Sequence, residues 1–161
     1  MKILNFIVVE ILSALLDKSK TQTIRPAWRT FREIPPRFKV ADKVRIMWNQ
    51  RSKNNHFCCF CGKSSHIGDR NSDLNCITAG SFEKHLGNAE ITEVFKIEMK
   101  VYPDKNGRVS WYSKAEGITD IQHLAKLDGF ASVDAMFNFF DKKYDLSQPK
   151  AFWVYRWKWD N

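Results

Sequence analysis

Hydrophobic positions change their period several times along this chain, and each change marks an element. Lys2 to Phe6 is a short run suited to a first strand. Ile7, Val8, Ile11, Leu12, Leu15 and Leu16 then recur at helical spacing, which predicts an amphipathic helix packed on a core through about Asp17. Thr21 to Ile24 alternates and is β-branched, so it predicts a strand that Pro26 ends. Pro35-Pro36 marks a loop. Lys43 to Trp48 alternates polar and apolar, the pattern of a strand with one buried face.

Between residues 50 and 88 the periodicity vanishes. This stretch is rich in Asn, Ser, Gly, His and Cys and predicts a long loop inserted between strands. Ala89 to Tyr102 resumes alternation, with Phe95, Ile97, Met99 and Val101 on one face. Asp104-Lys105-Asn106-Gly107 is a hairpin turn, and Val109 to Tyr112 is the returning strand. Ile118 to Leu127 predicts a helix ending near Gly129, and Ser132 is placed to cap a second helix running to about Lys142. Phe152 to Trp159 is a last strand. Its Trp153, Tyr155, Trp157 and Trp159 share one face and are mostly core, with Trp159 the most exposed. This order predicts one α+β domain over residues 1–161: a mostly antiparallel sheet or barrel with helices outside it.

Composition narrows the class. The chain has 161 residues, 43% of them hydrophobic and 14% aromatic, which suits one core and excludes a disordered tail. Its formal charge is +8, and the surplus is local: residues 1–53 hold 12 Lys/Arg against 4 Asp/Glu, whereas residues 54–161 hold 14 of each. A cationic field in the first third favours an anionic partner. No apolar run approaches a membrane span. Glu10 interrupts the first one, no small-residue cleavage site follows, and four cysteines crowd together, so a reducing, cytoplasmic location is expected.

Phe57-Cys58-Cys59-Phe60-Cys61-Gly62-Lys63 contains a Cys-x-x-Cys-Gly knuckle of the kind that presents two thiolates to zinc. Cys58, Cys61, Cys76 and His66 make a tetrahedral set, and a structural zinc there would hold a polar insertion in order. His56 and His85 are alternative ligands, and Cys59 is left over or substitutes for one of the set. No organic cofactor is expected.

Three motifs remain. Lys20-Thr21-Gln22-Thr23-Ile24-Arg25-Pro26 follows the first helix, Phe38-Lys39-Val40-Ala41-Asp42-Lys43-Val44 comes later, and Leu127-Asp128-Gly129-Phe130 lies between the two late helices. In this order they resemble the ASCH family of PUA-like β-barrels. That family has a Gly-x-Lys-x-x-Glu-x-Arg signature, a Gly-Asp loop and an acidic-Gly-Phe step. The resemblance covers the chain outside about 50–88. Here the family's first Gly falls on Lys18, its Glu on Thr23 and the loop Gly on Ala41, while Asp128 stands where Glu is common. The Lys-Thr-x-Thr-x-Arg variant resembles a branch that removes acyl groups from N4-acylated cytidine. That resemblance implies a catalytic set of Lys20, Thr23 and Asp128.

The residues support such chemistry by themselves. Thr21, Thr23 and Arg25 share a strand face, and Lys20 joins them from the strand's start. A lysine depressed in pKa by burial or by Lys18 and Arg25 can accept the Thr23 proton. Asp128 can orient that lysine, and Arg25 can bind an anion. Lys18, Arg29 and the aromatic pair Trp28 and Trp48 flank the motif as ligand-binding candidates. The expected function is RNA or nucleotide binding in a basic cleft around Lys20, Thr23, Arg25 and Asp128. The alternatives are hydrolysis, of an N4-acylcytidine or of single-stranded RNA, and protein interaction through the 50–88 insertion.

Overall fold

A computed structural model describes residues 1–6, 12–29, 32–48, 84–104, 107–114 and 120–160. Its organising strand is β6, which runs from Lys84 to Asp104 and is 21 residues long. One strand of that length serves three partners. Its first part pairs with Lys43–Trp48 (β5), its middle and later parts with Lys150–Trp159 (β8), and its end with Gly107–Lys114 (β7), all antiparallel. The register shifts between Ile46 and Met47 against β5 and between Ile91 and Glu93 against β8. Such bulges bend and twist a strand, so the sheet curls.

Lys2–Phe6 (β1) adds in parallel to β5, and Gln22–Pro26 (β2) adds antiparallel to β8. The sheet order is β1-β5-β6-β8-β2, with β7 on β6. Trp28–Arg29 (β3) and Arg32–Glu33 (β4) form a separate two-stranded ribbon. Three helices complete the mixed α+β architecture: Leu12–Leu16 (α1), Ile121–Leu127 (α2) and Val133–Tyr144 (α3). None of the described helices is long and apolar enough to cross a membrane.

The hydrogen-bonded path ends at β1 and β2, and among the described residues no backbone ladder joins them. A side chain does: Arg25 Nη2 of β2 donates to the Asn5 carbonyl of β1 at 2.7 Å. The curl therefore brings the two ends of the sheet within one guanidinium of each other. The seam between them is where the site lies.

Two apolar clusters hold this shape. One joins β1, α1, β5, the first part of β6 and Tyr155 and Trp157 of β8. The other packs α2 and α3 on Ile24, Ile97, Met99, Val101, Phe152 and Val154. Because β8 lies between β6 and β2, it is buried on both faces, and its neighbouring residues enter different clusters. The expected aromatic face of this strand belongs to the first cluster: Trp153 and Trp159 pack beside Tyr155 and Trp157. Trp159 is half-buried, more open than Tyr155 and Trp157, and its ring N–H donates to the Lys20 carbonyl at 3.0 Å.

The expected insertion ends sooner than residue 88, because β6 already begins at Lys84. Residues 84–88 pair with β5, and Leu86 packs on the first cluster. Gly87 has φ +154°, and a Cβ there would come 3.1 Å from the Trp159 ring, so this strand start needs glycine. Residues 49–83 lie outside the described residues.

Candidate functional site

Backbone turns on both sides of the seam place the charged groups. After α1 the chain reverses at Lys18, whose φ of 61° is left-handed. Lys20 then donates its N–H to the Ala14 carbonyl at 2.8 Å, while its own carbonyl is held by Trp159. Lys20 thus enters the site from a fixed backbone just ahead of β2.

The opposite wall is the end of α2. Gly129 has φ 89° and donates to Lys126 O, and Phe130 donates to Ala125 O, both at 3.0 Å. These two bonds are a Schellman motif, with Asp128 as the C-cap. The turn aims both the carbonyl and the carboxylate of Asp128 at Lys20. Gln22 fixes the distance between the walls: its Nε2 donates to the Leu124 carbonyl at 3.0 Å, and its Oε1 accepts from Arg156 Nε at 2.9 Å.

Lys20 Nζ donates to Asp128 Oδ1 at 2.6 Å and also to the Asp128 carbonyl. Lys20 is 1% exposed and Asp128 5%. Burial pushes the Lys20 amine below its ordinary pKa; the Asp128 charge opposes this and the Arg25 charge adds to it. Burial likewise pushes the Asp128 carboxyl up, against the pull of Lys20, Arg25 and the Ile24 N–H. Both shifts favour the neutral pair. Two positions of the Lys20 nitrogen are occupied by Asp128, and the third makes no hydrogen bond among the described residues.

These groups line a cleft of about 560 Å³, counting its open mouth. One wall is Phe6 of β1 with Lys20, Thr23, Ile24 and Arg25. The other is Asp128 and Phe130 of the turn, with Phe139, Phe140, Lys143 and Tyr144 of α3. Thr23 is 4% exposed, and its hydroxyl makes no hydrogen bond among the described residues. Arg25 is half-buried, and the Lys20 and Arg25 cations lie 5.7 and 5.1 Å from the centre of the Phe6 ring.

The structure therefore brings Lys20, Thr23, Arg25 and Asp128 together in one cleft. The flanking candidates stand apart from its lining. Lys18 is exposed with its amine 5.8 Å from the centre of the Trp159 ring, and Arg29 is exposed on β3. Trp28 is half-buried, packs at right angles to Tyr144 and Phe152 at 5.7 and 5.1 Å, and has the Lys150 amine 5.8 Å from its ring centre. The backbone of Trp48 ends β5, and its side chain lies outside the described ones. The expected zinc ligands Cys58, Cys61, Cys76 and His66 lie outside the described residues, and among those described no cluster of His, Cys, Asp or Glu could hold a metal ion.

Strand alternation gave no sign of Phe6, Lys143 and Tyr144 as lining. Phe130 had a signal in the acidic-Gly-Phe step. No family profile, curated protein or solved structure matches the chain.

Proposed function

We propose that this chain is a PUA-like domain of the ASCH type, a barrel whose β1–β2 seam Arg25 spans, and that its cleft hydrolyses the acyl group of an N4-acylated cytidine. The observation that carries the catalytic reading is the burial of Lys20 against Asp128. A lysine recruited only to neutralise phosphates keeps its charge in water. Lys20 is buried, pushed towards its neutral form, and has two positions engaged by Asp128 while the third makes no hydrogen bond among the described residues. That is the arrangement of a proton acceptor.

In this reading neutral Lys20 takes the Thr23 proton as Oγ1 bonds to the acyl carbonyl carbon. The adduct collapses by breaking the carbon–N4 bond, the proton passes from Lys20 to N4, and cytidine leaves. Water, giving its proton to Lys20, then cleaves the Thr23 ester. The carboxylic acid departs and the hydroxyl is restored. Asp128 holds the amine in orientation throughout. The short Asp side chain suffices because the Schellman turn brings its carbonyl to Lys20 as well.

Two backbone details support the family reading. Lys18 (φ 61°) and Ala41 (φ 68°) are two of the three described non-glycine residues with positive φ. They stand where the resemblance puts the family's two glycines. Asp42 beside Ala41 accepts from the Lys39 N–H at 2.7 Å and from Lys2 Nζ, which ties the turn to β1.

Purified protein incubated with N4-acetylcytidine tests the proposal, with chromatography for cytidine and Thr23→Val as the control. Cytidine is expected from the wild type, and its rate is expected to fall on the order of 10³-fold in the variant, as when a nucleophile is removed. A folded wild type that releases none defeats the hydrolytic reading.

Binding of RNA or a nucleotide without turnover is the second reading. Exposed Lys18, Arg29, Arg32, Arg37 and Lys39 favour it, since they keep solvated charge near the motif. Such binding weakens steeply as salt rises.

A further inference from the structure

The hydrolytic chemistry uses one amine of the cleft, Lys20, and leaves Arg25 and Lys143 unexplained. Arg25 gives one hydrogen bond, to the Asn5 carbonyl, and its remaining N–H groups bond to nothing among the described residues. Lys143, in the last turn of α3, lines the same cleft and is exposed. Its amine lies 5.6 and 5.5 Å from the ring centres of Phe139 and Tyr144, which also line the cleft. Among the described residues Lys143 forms no ion pair. Asp128, the sole carboxylate of the lining, is engaged by Lys20.

Among the described residues the cleft thus carries Arg25 and Lys143 beside a single carboxylate, which Lys20 engages. Burial pushes Arg25 below its ordinary pKa; the Asp128 charge opposes this and the charge of nearby Arg37 adds to it. Burial and the Arg25 charge push Lys143 down as well. The carbonyl end of α3 accounts for a lysine at 143. It does not account for the arginine on the facing wall, whose other N–H groups bond to nothing among the described residues. Like charges held together in a partly dry cleft are costly, and a bound anion relieves them. A guanidinium with donors unused among the described residues, sharing a cleft with an exposed ammonium, is a pairing suited to phosphate oxygens.

We infer that Arg25 and Lys143 hold a phosphate, so that the ligand of the cleft is a cytidine monophosphate bearing the acyl group and not the free nucleoside. This inference rests on the reading of the cleft as a cytidine site. It adds a specificity subsite distinct from Lys20, Thr23 and Asp128.

Calorimetric titration with cytidine and with its 5′- and 3′-monophosphates tests it, on the wild type, Lys143→Ala and Lys143→Arg. Lys143 is exposed, so neither variant threatens the fold, whereas Arg25 spans the seam. In the wild type one monophosphate is expected to bind at least about tenfold tighter than cytidine. That preference is expected to fall towards one in Lys143→Ala and to return in Lys143→Arg. Equal binding of cytidine and both monophosphates by the wild type overturns the phosphate subsite and leaves the cytidine site standing. An undiminished preference in Lys143→Ala does the same for Lys143. Failure of all three compounds to bind, with no turnover of N4-acetylcytidine or its monophosphates, overturns the cleft reading and this inference together.

Discussion

Lysine meets carboxylate in two regions of this sheet, at nearly the same distance and with opposite consequences. At the β5–β6 surface Lys43 Nζ lies 2.7 Å from Glu90 Oε2; at the seam Lys20 Nζ lies 2.6 Å from Asp128 Oδ1. On the surface the partner dominates: the hydrogen bond raises Lys43 and lowers Glu90, so both hold their charges more firmly. At the seam loss of water dominates: Lys20 is lowered and Asp128 raised, so both tend to give up their charges. Contact geometry alone therefore does not decide what an ion pair does. The solvent around it decides, and the fold removes that solvent at one place where a hydroxyl also waits.

The largest effect that could break this comparison comes from removing one member of the buried pair. Asp128→Ala leaves the buried Lys20 amine without its carboxyl partner and is expected to lower stability by about 1–3 kcal/mol in urea denaturation. Lys20→Met with Asp128→Leu, which removes both polar groups and keeps volume, is expected to recover most of that loss while turnover stays absent. A single variant as stable as the wild type would mean that the seam is wet.

A smaller effect, and a sharper one, is the pH dependence of stability. Asp128 holds a proton that the unfolded chain releases above 3.8, so its contribution falls as pH rises past that value. Lys20 sheds a proton that the unfolded chain keeps up to 10.5, so its contribution rises as pH climbs towards that value. The difference in urea midpoint between the wild type and the double variant is therefore expected to dip in the neutral range. Glu90 has the opposite sign: its contribution is present above 4.5 and is lost as pH falls through its lower folded value. The wild type minus Glu90→Gln is thus expected to be flat at neutral pH and to shrink in acid.

The smallest effect belongs to the surface pair itself. Lys43→Gln is expected to leave the thermal midpoint close to that of the wild type, and added salt is expected to erase any difference. A large loss would place Lys43 in something other than a solvated pair.

Much of the fold could be read from pattern. β1 and β5 fall where alternation put them, and Ser132 does cap α3, accepting from the Ala135 N–H at 3.1 Å. Local periodicity determines such elements, and one residue of slip would turn a buried face outward. The start of β6 at Lys84 was not visible, because pairing with β5 and the approach to Trp159 hold it, and both are distant in sequence. For the site, the Lys20–Thr23–Asp128 grouping came from the resemblance. Strand alternation would have grouped Lys20 with Gln22 and Ile24. Lys20 escapes that rule because it precedes β2 and sits on a turn. The Arg25 bridge to Asn5 and the place of Lys143 on the cleft wall depend on how the sheet curls, which no local pattern encodes.

The most direct measurement is an NMR titration of the Lys20 side chain, following its 13Cε and 15Nζ shifts with Lys20→Met for assignment and Lys43 as an internal reference. Lys20 is expected to lose its proton below the ordinary lysine range, and Lys43 to keep its own above it. A Lys20 that stays charged as long as Lys43 does would contradict the neutral pair, and with it the role of Lys20 as the base of the cleft.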